Sequence, residues 1–216
     1  MERPATPRGT RRARPEGKSA EGAALRLHLP QDARRAEVED FIRAVYRHHY
    51  GATIHEFTPV LVSLADADGQ LVAAAGYRSA AAGALFLERY LREPVEDELA
   101  WHAGRSLARR EIVEIGHLAA SRPGAGRRLM LLLGPHLAHQ HFHWAVATLT
   151  RELRQMMTRL GLTPLALAAA DPSALGEEAA SWGSYYEHLP LVLAGEIQPA
   201  LRRLAPRAID AQELVQ

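Results

Sequence analysis

The chain has 216 residues, of which 47% are hydrophobic and 24% charged, with a formal net charge of +1 and no cysteine. These values describe one ordinary globular core. They exclude a disulfide scaffold, thiolate chemistry and Cys-ligated zinc, and they give no sign of a strongly basic nucleic-acid binder. Residues 1–23 read as a disordered basic tail. Arg3, Arg8, Arg11, Arg12, Arg14 and Lys18 stand against three acidic residues, with no apolar stretch of a secretory signal behind them. Such a tail is either a dispensable extension or an arm for an acidic membrane or carrier protein. No apolar run approaches the ~18 residues of a membrane span. A cytoplasmic protein without a transmembrane segment or nucleic-acid partner is expected, with peripheral membrane contact left open.

The domain is expected over 24–205, with a C-terminal tail at 206–216. From Ala36 to His49, Val38, Phe41, Ile42 and Val45 recur at the spacing of one helix face, and Gly51 is placed to end it. Val60–Ala65 and Leu71–Tyr77 flank Asp66-Ala67-Asp68-Gly69, which predicts a β-hairpin. Short helices are expected at Leu85–Leu91 and Val95–His102. Glu111–Leu118 predicts a strand, Ser121–Gly126 a turn, and Arg127 the opening of a helix that Pro135 should kink or end early. A strand over Trp144–Thr150 and a helix over Arg151–Leu160, closed by Gly161, follow. Pro164–Ala169 reads as a buried strand, Glu177–His188 as a helix, Leu191–Ala194 as a last strand, and the chain from Ile197 as helical. Alternating strands and helices in the second half favour an α/β fold with a largely parallel or mixed central sheet flanked by helices on both faces.

Chemistry concentrates between Glu111 and Leu133. A strand there runs into Gly124-Ala125-Gly126 and a helix start, with Arg122, Arg127 and Arg128 around it. Glycines let backbone N–H groups approach a ligand closely, and a helix N-terminus adds unpaired donors and partial positive charge. Phosphate suits that combination, although many Gly-x-Gly turns are merely tight turns. Glu114 lies mid-strand between Val113 and Ile115, on the face opposite both. A carboxylate in a buried sheet is costly unless partnered. It is either a general base or one half of a salt bridge to an Arg of the neighbouring helix. His117 is either a second acid/base group or a core histidine. His136, His139, His141 and His143 cluster in sequence but share no clean face and have no carboxylate at ligand spacing, so no metal is expected. Tyr185 and Tyr186 in WGSYYEHLPL read as packed aromatics or as a site pair.

The strand–Gly-x-Gly–helix segment resembles the acyl-CoA-binding segment of GNAT acyltransferases. The resemblance rests on Gly124, Gly126, Arg127 and Leu129 and implies that Arg122, Gly124, Ala125, Gly126, Arg127 and Arg128 hold a pyrophosphate. That family usually carries Gln or Arg three residues before the first Gly; here Ser121 stands there and Arg122 one step later. WGSYYEHLPL (182–191) is similar to the late GNAT segment in which a helical Tyr acts as general acid, which implies that role for Tyr186; Pro190 replaces that segment's usual Gly. Across residues 40–197, YRSAAAGALFLERYL (77–91), IVEIGHLAA (112–120), TRLGLTPL (158–165) and AD…WGSYYEHLPLVLAGEI (170–197) resemble the thermostable hemolysin family, whose fold is similar to GNAT enzymes and acyl-homoserine-lactone synthases. The resemblance implies a GNAT-like acyltransferase fold with no tightly bound cofactor. Acyl-CoA or acyl-phosphopantetheine would serve as co-substrate, an acyl carrier protein would be one source of donor, and an amine or hydroxyl would be the acceptor, with Glu114 taking its proton. The alternatives are a membrane-active hemolysin, as the family name implies, and a non-catalytic GNAT-like protein that binds an acyl ligand.

Overall fold

The computed structural model describes residues 24–213, with side chains through residue 205. The basic tail expected over 1–23 lies outside the described residues, as do the side chains of the expected tail at 206–216.

Seven strands, β1 (Arg26–His28), β2 (Val60–Ala65), β3 (Leu71–Ser79), β4 (Ile112–Ala120), β5 (Trp144–Leu149), β6 (Leu165–Ala169) and β7 (Leu191–Glu196), form one sheet in the order β1-β2-β3-β4-β5-β7-β6. The sheet is mixed, as expected, but β4–β5 is its one parallel pair; the other neighbours are antiparallel. Five helices cover it: α1 (Arg35–Tyr50), α2 (Val95–Ala103), α3 (Ala125–His139), α4 (Arg151–Arg159) and α5 (Ile197–Glu213).

Period-two alternation sorts the side chains to two faces. On one face Leu61, Ala74 and Ala119 pack under Val38, Ile42 and Tyr46 of α1. Ile112, Trp144 and Val146 pack there under Val95 and Leu99 of α2. On the other face Val62, Ala73, Val113 and Ile115 meet Leu129, Leu133 and Leu137 of α3 and Ile197 of α5. Met157 of α4 packs there against Leu149 and Leu193. Gly51, at φ 66, closes α1 with its N–H on the Arg47 carbonyl, as its position after the apolar stripe predicts.

Four expectations are corrected. The helix α3 opens at Ala125 and runs through Pro135 to His139. A mid-helix proline costs about 3 kcal/mol, but Leu129, Leu133 and Leu137 are almost completely buried, and each contributes about 1.5–3 kcal/mol, so tertiary packing wins. Residues 165–169 form an edge strand that is half-buried and exposed by turns. The span 177–188 is broken into 3-10 turns, Pro172–Trp182, itself kinked at Gly176 (φ 57), and Tyr185–His188, with Gly183 (φ 54) between them. At Gly183 a Cβ would sit 2.1 Å from the Tyr50 carbonyl oxygen, so the close approach that pins this segment to the end of α1 also breaks the helix. The helix expected at Leu85–Leu91 is a 3-10 turn, Phe86–Tyr90.

Candidate active site

The strands β4 and β5 pair from Ile112↔Trp144 to Ile115↔Ala147, and the ladder stops there although β4 continues to Ala120. A bulge lies just beyond. Between Gly76↔Gly116 and Ala74↔Ala119, β4 spends three steps against two on β3. The extra residue is absorbed at His117, whose φ is 54. A non-glycine residue in that region is uncommon and costs about 1–3 kcal/mol. The bulge inverts the alternation. Ile112 and Glu114 face α1 and α2, and beyond the bulge His117 and Ala119 point to that same side while Leu118 turns toward α3 and α4.

Two cavities flank the parted strands. One, about 310 Å³, opens on the α1 side and is lined by Arg78, Arg89, Tyr90, Glu114, His117 and Tyr185 among others. The other, about 330 Å³, lies under α3, α4 and α5 and is walled by apolar groups including Met130, Ala147, Met157, Leu193 and Leu201. Ile115 and Leu118 line both. The two spaces therefore share Ile115 and Leu118 as a common wall where the β4–β5 ladder ends.

Glu114 is 5% exposed. Its Oε1 accepts the Leu87 N–H at 2.9 Å and its Oε2 the Phe86 N–H at 3.1 Å. Arg78 Nε is 3.3 Å from Oε2, on the cross-strand partner position of β3. The salt bridge is thus to the neighbouring strand, where an Arg of the neighbouring helix was the expectation. Burial pushes the Glu114 carboxyl above its ordinary range, against the opposing pull of these donors. Partner and cavity coexist at this residue.

His117 is half-buried against Phe57, ring centroids 5.1 Å apart. Burial lowers its pKa to about 4, against the opposing pull of the Glu56 backbone. Nδ1 is shut off from solvent and has no partner of good geometry among the described residues. Gly76 makes room beside it: a Cβ there would sit 3.2 Å from Nδ1 and 2.0 Å from Thr58 Oγ1. The sequence marked His117 as a candidate but gave no sign of the bulge that turns it into the cavity.

Tyr185 lines the polar cavity, stacked on Tyr46 and donating its hydroxyl to the Thr148 carbonyl at 3.3 Å. Tyr186 stands one step back; its hydroxyl is 2.6 Å from that of Tyr90, which does line the cavity. Burial raises both Tyr90 and Tyr186 above the usual phenol range.

The turn after β4 carries the remaining candidates. Gly124 is left-handed (φ 83), caps α3, and takes the Arg128 N–H on its carbonyl at 3.0 Å, while the Ala125 N–H closes onto the Arg122 carbonyl at 3.2 Å. Arg122 is drawn to Asp66 in the β2–β3 turn at 2.7 Å. Arg127 and Arg128 are exposed. Ser121 bonds back to the Val72 carbonyl through its N–H (3.0 Å). The structure therefore brings Glu114, His117, Tyr90 and Tyr185 together around one cavity, leaves Tyr186 behind Tyr90, and sets the glycine turn at the end of the same strand.

Several solved structures share this architecture. TofI, solved in a ternary complex with an inhibitor and MTA, aligns over 83% of this chain and 96% of its own at 14% identity and TM-score 0.55. FeeM, an N-acyl amino acid synthase from uncultured soil microbes, aligns over 82% and 92% at 14% identity and TM-score 0.56. BjaI, a CoA-dependent acyl-homoserine lactone synthase solved with SAM and isopentyl-CoA, aligns over 86% and 89% at 14% identity and TM-score 0.55. At such identities the likeness establishes the GNAT-like fold alone. No curated protein matches the chain. No helix among the described residues is long and apolar enough to cross a membrane. The family model for thermostable hemolysin matches residues 28–201, and the chain belongs to that family.

Proposed function

We propose that this protein transfers an acyl group from a thioester, acyl-CoA or acyl-phosphopantetheine, to an amine or hydroxyl. One observation carries the reading: the β4–β5 ladder stops at Ile115/Ala147, and a polar cavity on one face and an apolar cavity on the other share Ile115 and Leu118 as a wall there. A thioester threaded through the gap would leave its acyl chain among the apolar groups and its carbonyl near Glu114.

The donor's phosphates would lie on the 122–128 turn. Gly126 supports this. A Cβ there would make only an ordinary 3.5 Å contact with Ala120, so the protein's own packing does not demand glycine. A bare backbone at a helix start does suit a phosphate held on N–H groups. In the reaction the acceptor's lone pair attacks the thioester carbonyl carbon, the C–S bond breaks, and the thiolate departs. Glu114 takes the acceptor's proton. Tyr186, through Tyr90, can return a proton to sulfur, although a thiol of pKa about 8.5 leaves readily without it.

The test is native mass spectrometry and thermal shift with coenzyme A, acetyl- and octanoyl-CoA, and acyl carrier protein. Specific donor binding that the Arg127→Ala/Arg128→Ala double substitution weakens is the expected result. A folded protein that binds none of these donors overturns the reading.

A further inference from the structure

The two arginines in the wall of the polar cavity are held differently. Arg89 is engaged: it pairs with Glu178 at 2.5 Å and lies over the Phe86 ring. Arg78 stands on β3 across the ladder from Glu114. Its Nε lies 3.3 Å from Glu114 Oε2, covered and without good hydrogen-bond geometry. Its Nη1 and Nη2 are neither covered nor engaged in a hydrogen bond among the described residues, and 28% of the side chain stays open. Glu114 needs none of these outer donors, because the Phe86 and Leu87 N–H groups already serve its oxygens. The cavity therefore presents the outer fork of a permanently charged guanidinium, largely screened from water, beside an anion. A carboxylate matches such a fork with two parallel N–H···O bonds.

We propose that Arg78 binds the carboxylate of the acyl acceptor, and that the acceptor is therefore an α-amino acid. This rests on the acyl-transfer reading. Arg78 and Glu114 are adjacent charges of opposite sign. An α-amino acid carries the complementary pair, its nitrogen and carboxyl carbon about 2.5 Å apart by standard bond lengths. With the carboxylate on the outer fork, the α-nitrogen lies toward Glu114. The ammonium loses one proton to water on becoming a nucleophile. A second passes to Glu114 as the C–N bond forms and the C–S bond breaks. The thiolate departs and is protonated as Glu114 returns to its ionised form. The products are an N-acyl amino acid, a free thiol and one proton. A simple amine offers Arg78 no partner, and a hydroxy acid offers Glu114 no cation.

The test uses the full chain with octanoyl-CoA, following thiol release with each of the common amino acids. The best of them is then compared with its amide, its decarboxylated amine and its hydroxy-acid analogue. The wild type should favour the amino acid over its amide by roughly 10–100-fold in kcat/KM, the contribution of a charged hydrogen-bonded pair. Arg78→Gln should collapse that ratio, chiefly through KM for the amino acid. Arg78→Lys, a charge without the fork, should keep part of it. Added guanidinium should restore the preference to Arg78→Ala. An arginine that merely supports Glu114 would lower turnover of the amino acid and its amide alike and leave their ratio unchanged; that result overturns the role of Arg78 and leaves acyl transfer standing. So does a wild type that accepts the amide, the amine or the hydroxy acid as readily as the amino acid, a comparison that needs no variant to fold. A wild type that acylates no amino acid overturns the amino-acid acceptor, and if it also binds no acyl donor the acyl-transfer reading falls with it.

Discussion

Glu114 is the residue on which chemistry and stability pull apart. A base must be ionised, yet burial raises the pKa of this carboxyl. Activity should therefore rise with pH through an inflection above the ordinary glutamate value. The stability sign is the reverse of a paired surface carboxylate. With a folded pKa above the unfolded one, Glu114 costs nothing below the unfolded pKa and destabilises progressively as pH climbs through the folded one. Glu114→Gln should lower kcat by about 10²–10⁴-fold with donor binding unchanged, and the acid limb of the pH–rate profile should vanish with it. Stopped kinetics across pH 4–8, alongside donor titration, checks both; a retained acid limb assigns it elsewhere. Alternation around Val113 and Ile115 made this residue legible in the sequence. His117 was only half legible, because its orientation depends on an inserted residue in the pairing with β3, which leaves no mark on local periodicity.

At the scale of elements, the α3 start separates two glycines that look equivalent in sequence. Gly124 is left-handed, so Gly124→Ala should cost roughly 1–2 kcal/mol, the ordinary penalty for an L side chain there. Gly126 lies inside the helix in open space apart from the Ala120 contact. Gly126→Ala should leave stability unchanged or raise it by up to ~1 kcal/mol, while weakening donor binding at least tenfold if a phosphate approaches that backbone. Urea unfolding and coenzyme A titration of the two variants read this out; a Gly126→Ala protein with unaltered donor affinity removes the phosphate from this turn. A second element-scale device is Arg109, which bonds the Ala80 and Gly83 carbonyls and pairs with Glu88 and Glu96, tying the 3-10 turn and α2 to the start of β4. For Glu88, burial alone would raise the pKa, but Arg109 and the Leu85 and Val95 N–H groups outweigh it and bring it to about 2. Its contribution is present above the unfolded carboxyl pKa and lost as pH falls through about 2. Arg109→Lys, which cannot reproduce the fork, should cost about 1–3 kcal/mol in urea unfolding at pH 7, and less at pH 2. Most elements were legible because they carry their own signals, such as the Asp-Gly hairpin and the glycine after α1. Two failed for tertiary reasons. Pro135 is carried by the leucines on either side of it, and 177–188 is broken where Gly183 meets Tyr50, 133 residues away in sequence. The strand Arg26–His28 is three residues long, too short for any period to show.

The order of strands sets what the whole molecule can accept. Inserting β7 antiparallel beside β5 leaves β4–β5 as the one parallel junction, and its ladder stops just before the bulge that β4 makes against β3. Nothing in the alternation of strands and helices specifies which junction opens, so the sequence could indicate a flanked sheet but not the gap. The apolar cavity behind that gap, about 330 Å³, is of the size of a small-ligand pocket. Each methylene buried there should contribute up to ~0.8 kcal/mol, roughly threefold to fourfold in kcat/KM per carbon, until the cavity is full. Ala147 lies at the last β4–β5 pair and lines this cavity. Ala147→Phe should fill its mouth without touching Glu114 or the glycine turn. Octanoyl-CoA turnover should then fall by about 10–100-fold while acetyl-CoA turnover stays near its starting value, and the chain-length profile measured from two to twelve carbons should flatten. A profile that falls equally at every length would mean that the substitution damages the gap itself. A profile that does not change would mean that the acyl chain lies outside this cavity, on the polar face with the acceptor.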